Sequence, residues 1–125
     1  MVARVQDAGL ARITAALIAL SWWLQWGTGS AAAKTANVVT TTSTTEARGS
    51  ATASQQTGSV TNDTMRLTAT LTAAGARAIT EVGAFDAAGS GSPPTGGNMD
   101  VYGAFSVINL ATNDSIAFTI NTTFA

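Results

Sequence analysis

The run TMRLTATLT at positions 64–72 alternates apolar residues with threonine and arginine. In a β-strand, alternate side chains point to opposite faces, whereas a helix would scatter these apolar residues around its axis. The run therefore predicts a strand with one apolar face and one threonine-lined face. The apolar face consists of Met65, Leu67, Ala69 and Leu71.

The segment SIAFTINTTF at 115–124 shows a similar alternation, and a TND turn precedes each of the two segments, at 61–63 and 112–114. Short strands separated by Gly, Asn and Asp favour a mainly β protein, an antiparallel β-sandwich or small β-barrel, over a βαβ fold. We expect the last strand to lie at a sheet edge, where another chain can add by backbone pairing. Less regular strands are predicted at 38–46, 49–55, 78–85 and 101–109.

One amphipathic helix is predicted near the amino terminus, from Asp7 to about Leu20. Asp7 is placed to cap this helix, and the helix dipole favours an acidic residue there. A secretory signal is the alternative for this segment, but Asp7 and Arg12 lie beside an apolar run that is too short to span a bilayer. The apolar stripe that should dock on the rest of the domain is Leu10, Ile13, Leu17 and Leu20.

All three tryptophans follow the predicted helix, and the glycines of WGTG at 26–29 end this segment. We assign 1–33 to the helix and a tryptophan-bearing arm, and 34–125 to the β part of one single domain. The arm has two interpretations, a plug in the core beneath a sheet or an anchor for another subunit, because Trp is enriched in interface hot spots. The candidate contact residues in this part are Leu17, Trp22, Trp23 and Trp26.

The tract DAAGSGSPPTGGNMD at 86–100 is predicted to be a long loop. Pro93 and Pro94 lack the N–H that a central strand requires, and the glycines on either side loosen the chain. A loop of this length in a small domain is uncommon unless it projects into solvent or meets a partner. Pro93 and Pro94 therefore complete the candidate contact residues.

The composition leaves few groups for catalysis. The chain contains no His and no Cys, so the commonest general base and the strongest zinc ligands are missing. Glu81 and Asp86 are the obvious carboxylate pair, with Asp100 close to them if the loop closes on itself. Strand parity should direct Glu81 and Asp86 to different faces, so we expect no enzyme activity.

Binding sites for ions and nucleic acids are also disfavoured. A net charge of −1, from six basic and seven acidic residues, argues against nucleic acid and anionic membranes as partners. Calcium could use isolated aspartates with loop carbonyls, but the chain has no dense acidic loop of the EF-hand type, and we expect no cofactor. The aspartates considered for calcium are Asp63, Asp86, Asp100 and Asp114.

Five fragments follow one another along the chain: WGTG (26–29), TNDT (61–64), AITEVGAFDAAGSG (78–91), VYGAFSVINL (101–110) and NDSIAFTINTTF (113–124). In order and spacing they resemble small β-rich structural proteins of tailed bacteriophages. The element TEVGAFDAAG within the third fragment also resembles a motif in the amino-terminal domains of some phage tail fibres.

The resemblance implies a virion protein without catalysis that is stabilised by contacts with other subunits. As a head decoration or cement protein, it would sit on the capsid surface as a homotrimer at local threefold positions and bridge subunits of the major capsid protein. The fibre-like element implies an alternative, a tail or appendage module that contacts the receptor or attaches fibres. A third alternative, a secreted bacterial β-sandwich that binds sugar, predicts processing after Ala33.

Overall fold

The computed structural model describes residues 1–29 and 43–125. Six antiparallel strands form a nearly closed, barrel-like sheet, and a single helix precedes them. The predicted mainly β fold with one amino-terminal helix is therefore confirmed. The elements are α1 (Asp7–Ile18), β1 (Trp22–Gly27), β2 (Gly49–Gln56), β3 (Thr64–Thr72), β4 (Arg77–Phe85), β5 (Met99–Leu110) and β6 (Ser115–Thr123).

The strand order in the sheet is β5-β4-β1-β2-β3-β6, so β5 and β6 are its edges. β3 and β6 stay in register over their whole length, from Thr64 opposite Thr123 to Thr72 opposite Ser115. Curling of the sheet brings its two edge strands to either side of one cleft.

The interior of the barrel is lined by the alternate apolar residues that the sequence predicted for β3 and β6. Met65, Leu67 and Leu71 of β3 are almost fully buried. Across the core, the Trp26 ring meets the Phe118 ring edge-on, with centroids 6.3 Å apart, a favoured geometry for aromatic pairs. The apolar alternation along β3 and β6 thus builds one wall of the core.

The sequence predicted that the tryptophan segment is an arm ahead of the β part, but the structure places it within the sheet. Residues 22–27 form β1, a central strand that pairs with β2 on one side and β4 on the other. Its sequence WWLQWG shows no simple alternation because both faces of β1 are covered, the inner face by the core and the outer face by the loop that follows β4. Most of the strand predicted at 38–46 lies outside the described residues; within it, Ser43 makes an isolated bridge to Gly27.

The helix docks through a stripe that shares Leu10 and the partly buried Leu17 with the predicted one, but not Ile13 or Leu20. Leu10 is buried as expected, but Ile13 is 36% exposed and Leu20 is 58% exposed. Leu20 lies beyond the end of α1 at Ile18, so the helical spacing does not carry it to the inner face. Thr14 takes the central buried place instead, one turn after Leu10. The N-cap is Gln6 rather than Asp7, and Asp7 lies in the first turn.

Hydrogen bonds fix α1 to the sheet. The buried Thr14 hydroxyl lies 2.5 Å from its acceptor, the carbonyl oxygen of Asn62, and accepts a bond from the Gln55 side chain at 2.8 Å. At the carboxyl end of the helix, the Trp22 indole N–H donates to the carbonyl of Leu17 at 2.9 Å, and the same carbonyl accepts the Leu20 N–H at 3.1 Å. The helix is therefore attached near its centre and at its carboxyl end by polar as well as apolar contacts.

The two TND turns share a backbone geometry. Asn62 and Asn113 both adopt the left-handed conformation, with φ of 59° and 70°, which asparagine tolerates better than most residues. The aspartate that follows each asparagine accepts backbone hydrogen bonds, but the two differ in burial. Asp114 accepts one from Ala111 N–H at an exposed turn, whereas Asp63 is 1% exposed.

Asp63 organises the turn between β2 and β3. Its carboxylate accepts the N–H groups of Val60 at 2.9 Å, Gly58 at 2.7 Å and Ser59 at 2.8 Å, and the Thr64 hydroxyl at 2.9 Å. The bond from Val60, with those from the other donors, lowers the pKa of Asp63 to about 2 although burial opposes this shift. The folded state thus stabilises the ionised form of Asp63 relative to the protonated form.

We expect Asp63→Asn to lower the free energy of unfolding at neutral pH and to flatten its dependence on pH between about 4 and 2. Because the pKa of Asp63 is lower in the folded than in the unfolded state, its contribution is complete above the unfolded value near 3.8 and disappears as the pH falls towards about 2. Urea unfolding followed by tryptophan fluorescence at a series of pH values measures both effects.

Asp114→Asn is the matched control, since it changes the same residue of the second TND turn at an exposed site. We expect its urea midpoint to stay close to that of the parent protein. Equal losses for Asp63→Asn and Asp114→Asn would contradict the role assigned to the buried carboxylate.

Candidate functional site

Glu81 and Asp86, the two carboxylates considered as a pair, have separate hydrogen-bond partners. Glu81, fully buried in β4, accepts hydrogen bonds from the Tyr102 hydroxyl at 2.6 Å and from Gly29 N–H at 3.3 Å. Asp86 is exposed just beyond β4 and accepts the backbone N–H and side-chain amide of Asn98, at 2.7 and 2.9 Å. These bonds lower the pKa of Asp86 and join the two ends of the loop that spans 86–98. Glu81 and Asp86 thus hold different parts of the fold.

Arg48 fixes that loop to the barrel from beneath. Its guanidinium donates to the carbonyls of Ala87 and Gly96, both at 2.8 Å, and to the Gln25 side chain of β1 at 2.9 Å. It also lies over the Phe85 ring, 3.7 Å from the centroid, in a cation–π contact. Burial lowers the pKa of Arg48, and the nearby charge of Asp86 opposes that effect. One buried cation therefore ties together β1, the end of β4 and both halves of the loop.

The two loop prolines have different environments. Pro94 is buried, and its carbonyl accepts a hydrogen bond from the Gln25 side chain at 3.3 Å. Pro93 is exposed and follows a cis peptide bond from Ser92. Most other residues of 86–98 are exposed, so the loop presents a polar surface while its base is anchored.

A cleft lies along the open seam between the two edge strands. Its volume is about 630 Å³. Phe105 of β5 and Phe118 of β6 meet at its floor, with ring centroids 6.0 Å apart. Its apolar lining comes mainly from Val82, Val101, Phe105, Ile116, Phe118 and Ile120.

A second cleft of about 330 Å³ continues this surface towards the helix. Both clefts are lined by Val101 and Thr122, and the second one extends to Asp100, Phe124 and the exposed Leu20. Together they form one groove along the seam, which we call the seam groove. Burial and the charge of Asp86 raise the pKa of Asp100, the acidic residue that lines this groove.

The two edges of the seam groove differ in regularity. The pairing of β5 with β4 shifts register at two places, between Ile79 and Glu81 and between Ala84 and Phe85 of β4. Such bulges hinder the addition of another strand. β6 pairs with β3 without a shift and contains no acidic or basic residue from Ser115 to Thr123. β6 thus lacks two common devices by which edge strands avoid pairing with other chains.

The candidate contact residues are spread over several environments. Trp22 and Trp26, at 3% and 1% exposure, belong to the core of the chain itself, as the plug interpretation requires. Trp23 and Leu17 are partly buried, Pro94 is buried and Pro93 is exposed. Trp22, Trp26 and Pro94 therefore expose little surface for contact with a partner. For Leu17, Trp23 and Pro93, the partner contact stays a prediction.

The described residues hold no group of three or more acidic, His or Cys side chains that could bind a metal ion. Both carboxylate oxygens of Asp63 are already occupied by hydrogen-bond donors. In the same part of the chain, no helix has the length and apolar character needed to cross a membrane.

No protein-family model matches the chain. No curated protein matches it either. The geometry of the chain itself therefore carries the functional interpretation, together with the sequence fragments described above.

Sequence reasoning missed Arg48 and Gln25 as the residues that anchor the loop. Arg48 lies at the end of a low-complexity tract, and its main acceptors are backbone carbonyls, which leave no side-chain pattern. Gln25, a polar residue between apolar neighbours in WWLQWG, was the one available signal of a buried polar contact.

Proposed function

We propose that this protein is a structural component of a tailed-bacteriophage virion, and specifically a capsid decoration protein that bridges subunits of the major capsid protein. The sequence fragments from WGTG to NDSIAFTINTTF support the bacteriophage context. The observation that carries an assembly role is the seam groove, an apolar surface bordered by an uncharged, regular edge strand. Such edges are surfaces on which other chains add.

The distribution of polar groups supports the same role. Glu81, Asp63 and Arg48 are buried and hydrogen-bonded within the fold, so their charges serve its internal architecture. The outer face of β3 and β6 instead carries short hydroxyl and amide side chains, including Thr68, Thr70 and Thr119. A small β domain of low net charge, with apolar grooves and an outer face on which Arg66 is the charged residue of β3 and β6, suits repeated packing against other subunits.

Quantitative gel staining of purified virions tests this proposal. A decoration protein is expected at a copy number comparable to that of the major capsid protein, and a particle reconstruction should place it on the head. Particles that lack it should release their DNA at a lower temperature than complete particles. Absence from virions, or unchanged particle stability after its removal, would contradict the cementing role.

A tail or appendage module is the second candidate, and the loop at 86–98 favours it. This loop includes the end of the fibre-like TEVGAFDAAG element and presents exposed residues on a base anchored by Arg48. A rigid base beneath an exposed tip is common in binding loops. The same gel measurement separates the candidates, because a fibre component is expected at a far lower copy number than the major capsid protein.

A further inference from the structure

We propose that the seam groove accepts an extended segment of a second copy of this chain, residues 1–5, which adds as a further strand to the open edge of β6. The inference rests on the proposed structural role, in which copies of the protein contact one another, and it names the contact. Three observations support it: the condition of the β6 edge, the exposure of residues 1–5, and the charges at one end of the groove.

The acceptor is β6 because its edge is regular and uncharged. A strand that pairs with another chain uses its outward backbone N–H and C=O groups, and the unshifted register of β6 with β3 leaves these groups at every second residue without interruption. The side chains of an added strand would alternate between the solvent side and the groove. On the groove side they would meet Phe105, Phe118 and Ile120.

The donor is the segment MVARV that precedes α1. It is not helical in the structure, and its large apolar residues are exposed, Met1 and Val2 almost fully and Val5 by 49%. Five extended residues span about 16 Å, which fits along part of a nine-residue strand such as β6. Burial of Val2 in the groove, on the same side of the added strand as Arg4, would remove apolar surface from water on both copies.

Charge complementarity favours the same segment. Arg4 is the basic residue of MVARV, and Asp100 is the acidic residue of the seam groove. In the described part of the chain, neither side chain forms a salt bridge; the ion pair recorded there joins Arg77 and Glu46. Insertion of residues 1–5 would bring a positive charge to a groove whose acidic residue is partly desolvated.

The contact would be heterologous, because the donor and acceptor surfaces are different parts of the chain. Such contacts produce a closed ring when the rotation between copies closes and a filament when it does not. The homotrimer implied by the sequence resemblance corresponds to the closed arrangement.

Cysteine pairing between copies tests the inference directly, since the chain contains no natural Cys. We expect a Val2→Cys copy, mixed with an Ile116→Cys or Ile120→Cys copy under mild oxidation, to form a disulfide between copies, because both isoleucines line the groove. Ala69→Cys on β3 is the matched control, because Ala69 is partly buried on the same face, opposite Phe118, but one strand further from the groove. A disulfide requires Cα atoms within about 7 Å, which an added strand meets at β6 and not at β3. Equal yields with Ala69→Cys would overturn the inference.

Light scattering of the parent chain and of Val2→Asp provides the second measurement. We expect the parent to self-associate with rising concentration and Val2→Asp to remain monomeric with an unchanged melting temperature, since Val2 is 99% exposed. Arg4→Asp should weaken association, and mixing it with Asp100→Arg copies should restore it. Association that persists in Val2→Asp, or a parent that stays monomeric, would overturn the inference. Neither result would affect the copy number measured on virions, which tests the proposed function separately.

Discussion

Replacement of Trp26 by Ala is expected to lower the free energy of unfolding by about 3–5 kcal/mol, the range for removing a large aromatic side chain from a core. Trp26 is 1% exposed on the central strand β1, and its ring packs edge-on against Phe118 of the edge strand β6. Small domains have total stabilities of about 5–15 kcal/mol, so this loss is a large fraction of the total. Urea unfolding followed by circular dichroism measures it without relying on tryptophan fluorescence.

Two further variants separate core packing from other effects. Trp23→Ala removes the same type of side chain from a position three residues earlier in β1, where it is only partly buried, and should cost clearly less. Trp26→Phe keeps an aromatic ring and removes a buried indole N–H that has no hydrogen-bond partner in the described part of the chain, so it should also cost less than Trp26→Ala. Similar losses for Trp26→Ala and Trp23→Ala would contradict the assignment of Trp26 to the core.

Replacement of Arg48 by Met is expected to destabilise the protein by about 3 kcal/mol, because one buried and two partly buried acceptors lose a charged donor. The carbonyls of Ala87 and Gly96 and the side chain of Gln25 would lose that donor, and the contact with the Phe85 ring would disappear. We expect the loop at 86–98 to become more sensitive to elastase, which cleaves after small residues, before the barrel unfolds. Limited proteolysis with mass spectrometry locates the cleavage, and urea unfolding gives the loss of stability.

Arg66→Met is the matched control for this experiment. Arg66 makes an exposed hydrogen bond with Asn121 on the outer face of the sheet, so its loss should change stability by no more than about 0.5 kcal/mol. Cleavage within 86–98 at the parental rate in Arg48→Met would show that the loop is held by other contacts.

The strands with the clearest sequence signal, β3 and β6, are those with one covered face. β3 begins and ends where its alternation does, and β2, β4, β5 and β6 differ from their predicted bounds by a few residues at most. In such strands the periodicity of two is visible because apolar and polar residues face different environments. These elements also established the mainly β class before any tertiary contact was considered.

The parts that escaped prediction depend on contacts between distant segments. β1 shows no alternation because its outer face is covered. On that face, the Gln25 side chain forms hydrogen bonds with Arg48 and with the carbonyl of Pro94. Thr14 occupies the centre of the helix interface because Gln55 and the carbonyl of Asn62 supply its partners. A local pattern cannot reveal such positions, since the partner that makes burial favourable comes from elsewhere in the chain.

The seam groove was foreseen only in part. The expectation that the last strand lies at a sheet edge agrees with the position of β6. The sequence did not predict the register shifts of β5 or the two clefts that share Val101 and Thr122. Both features depend on how the sheet closes.

The central position of β1 affects how the chain folds during synthesis. β1 leaves the ribosome well before β4, yet β4 is one of its two neighbours in the sheet, with Trp23 opposite Phe85. Pairing between distant segments is slow because the connecting chain must lose entropy before the contacts form. Until β4 emerges, a nascent strand with three tryptophans exposes apolar surface, and such surface promotes aggregation or chaperone binding. Synthesis slowed between β1 and β4 should therefore lower the yield of folded protein more than synthesis slowed after β4.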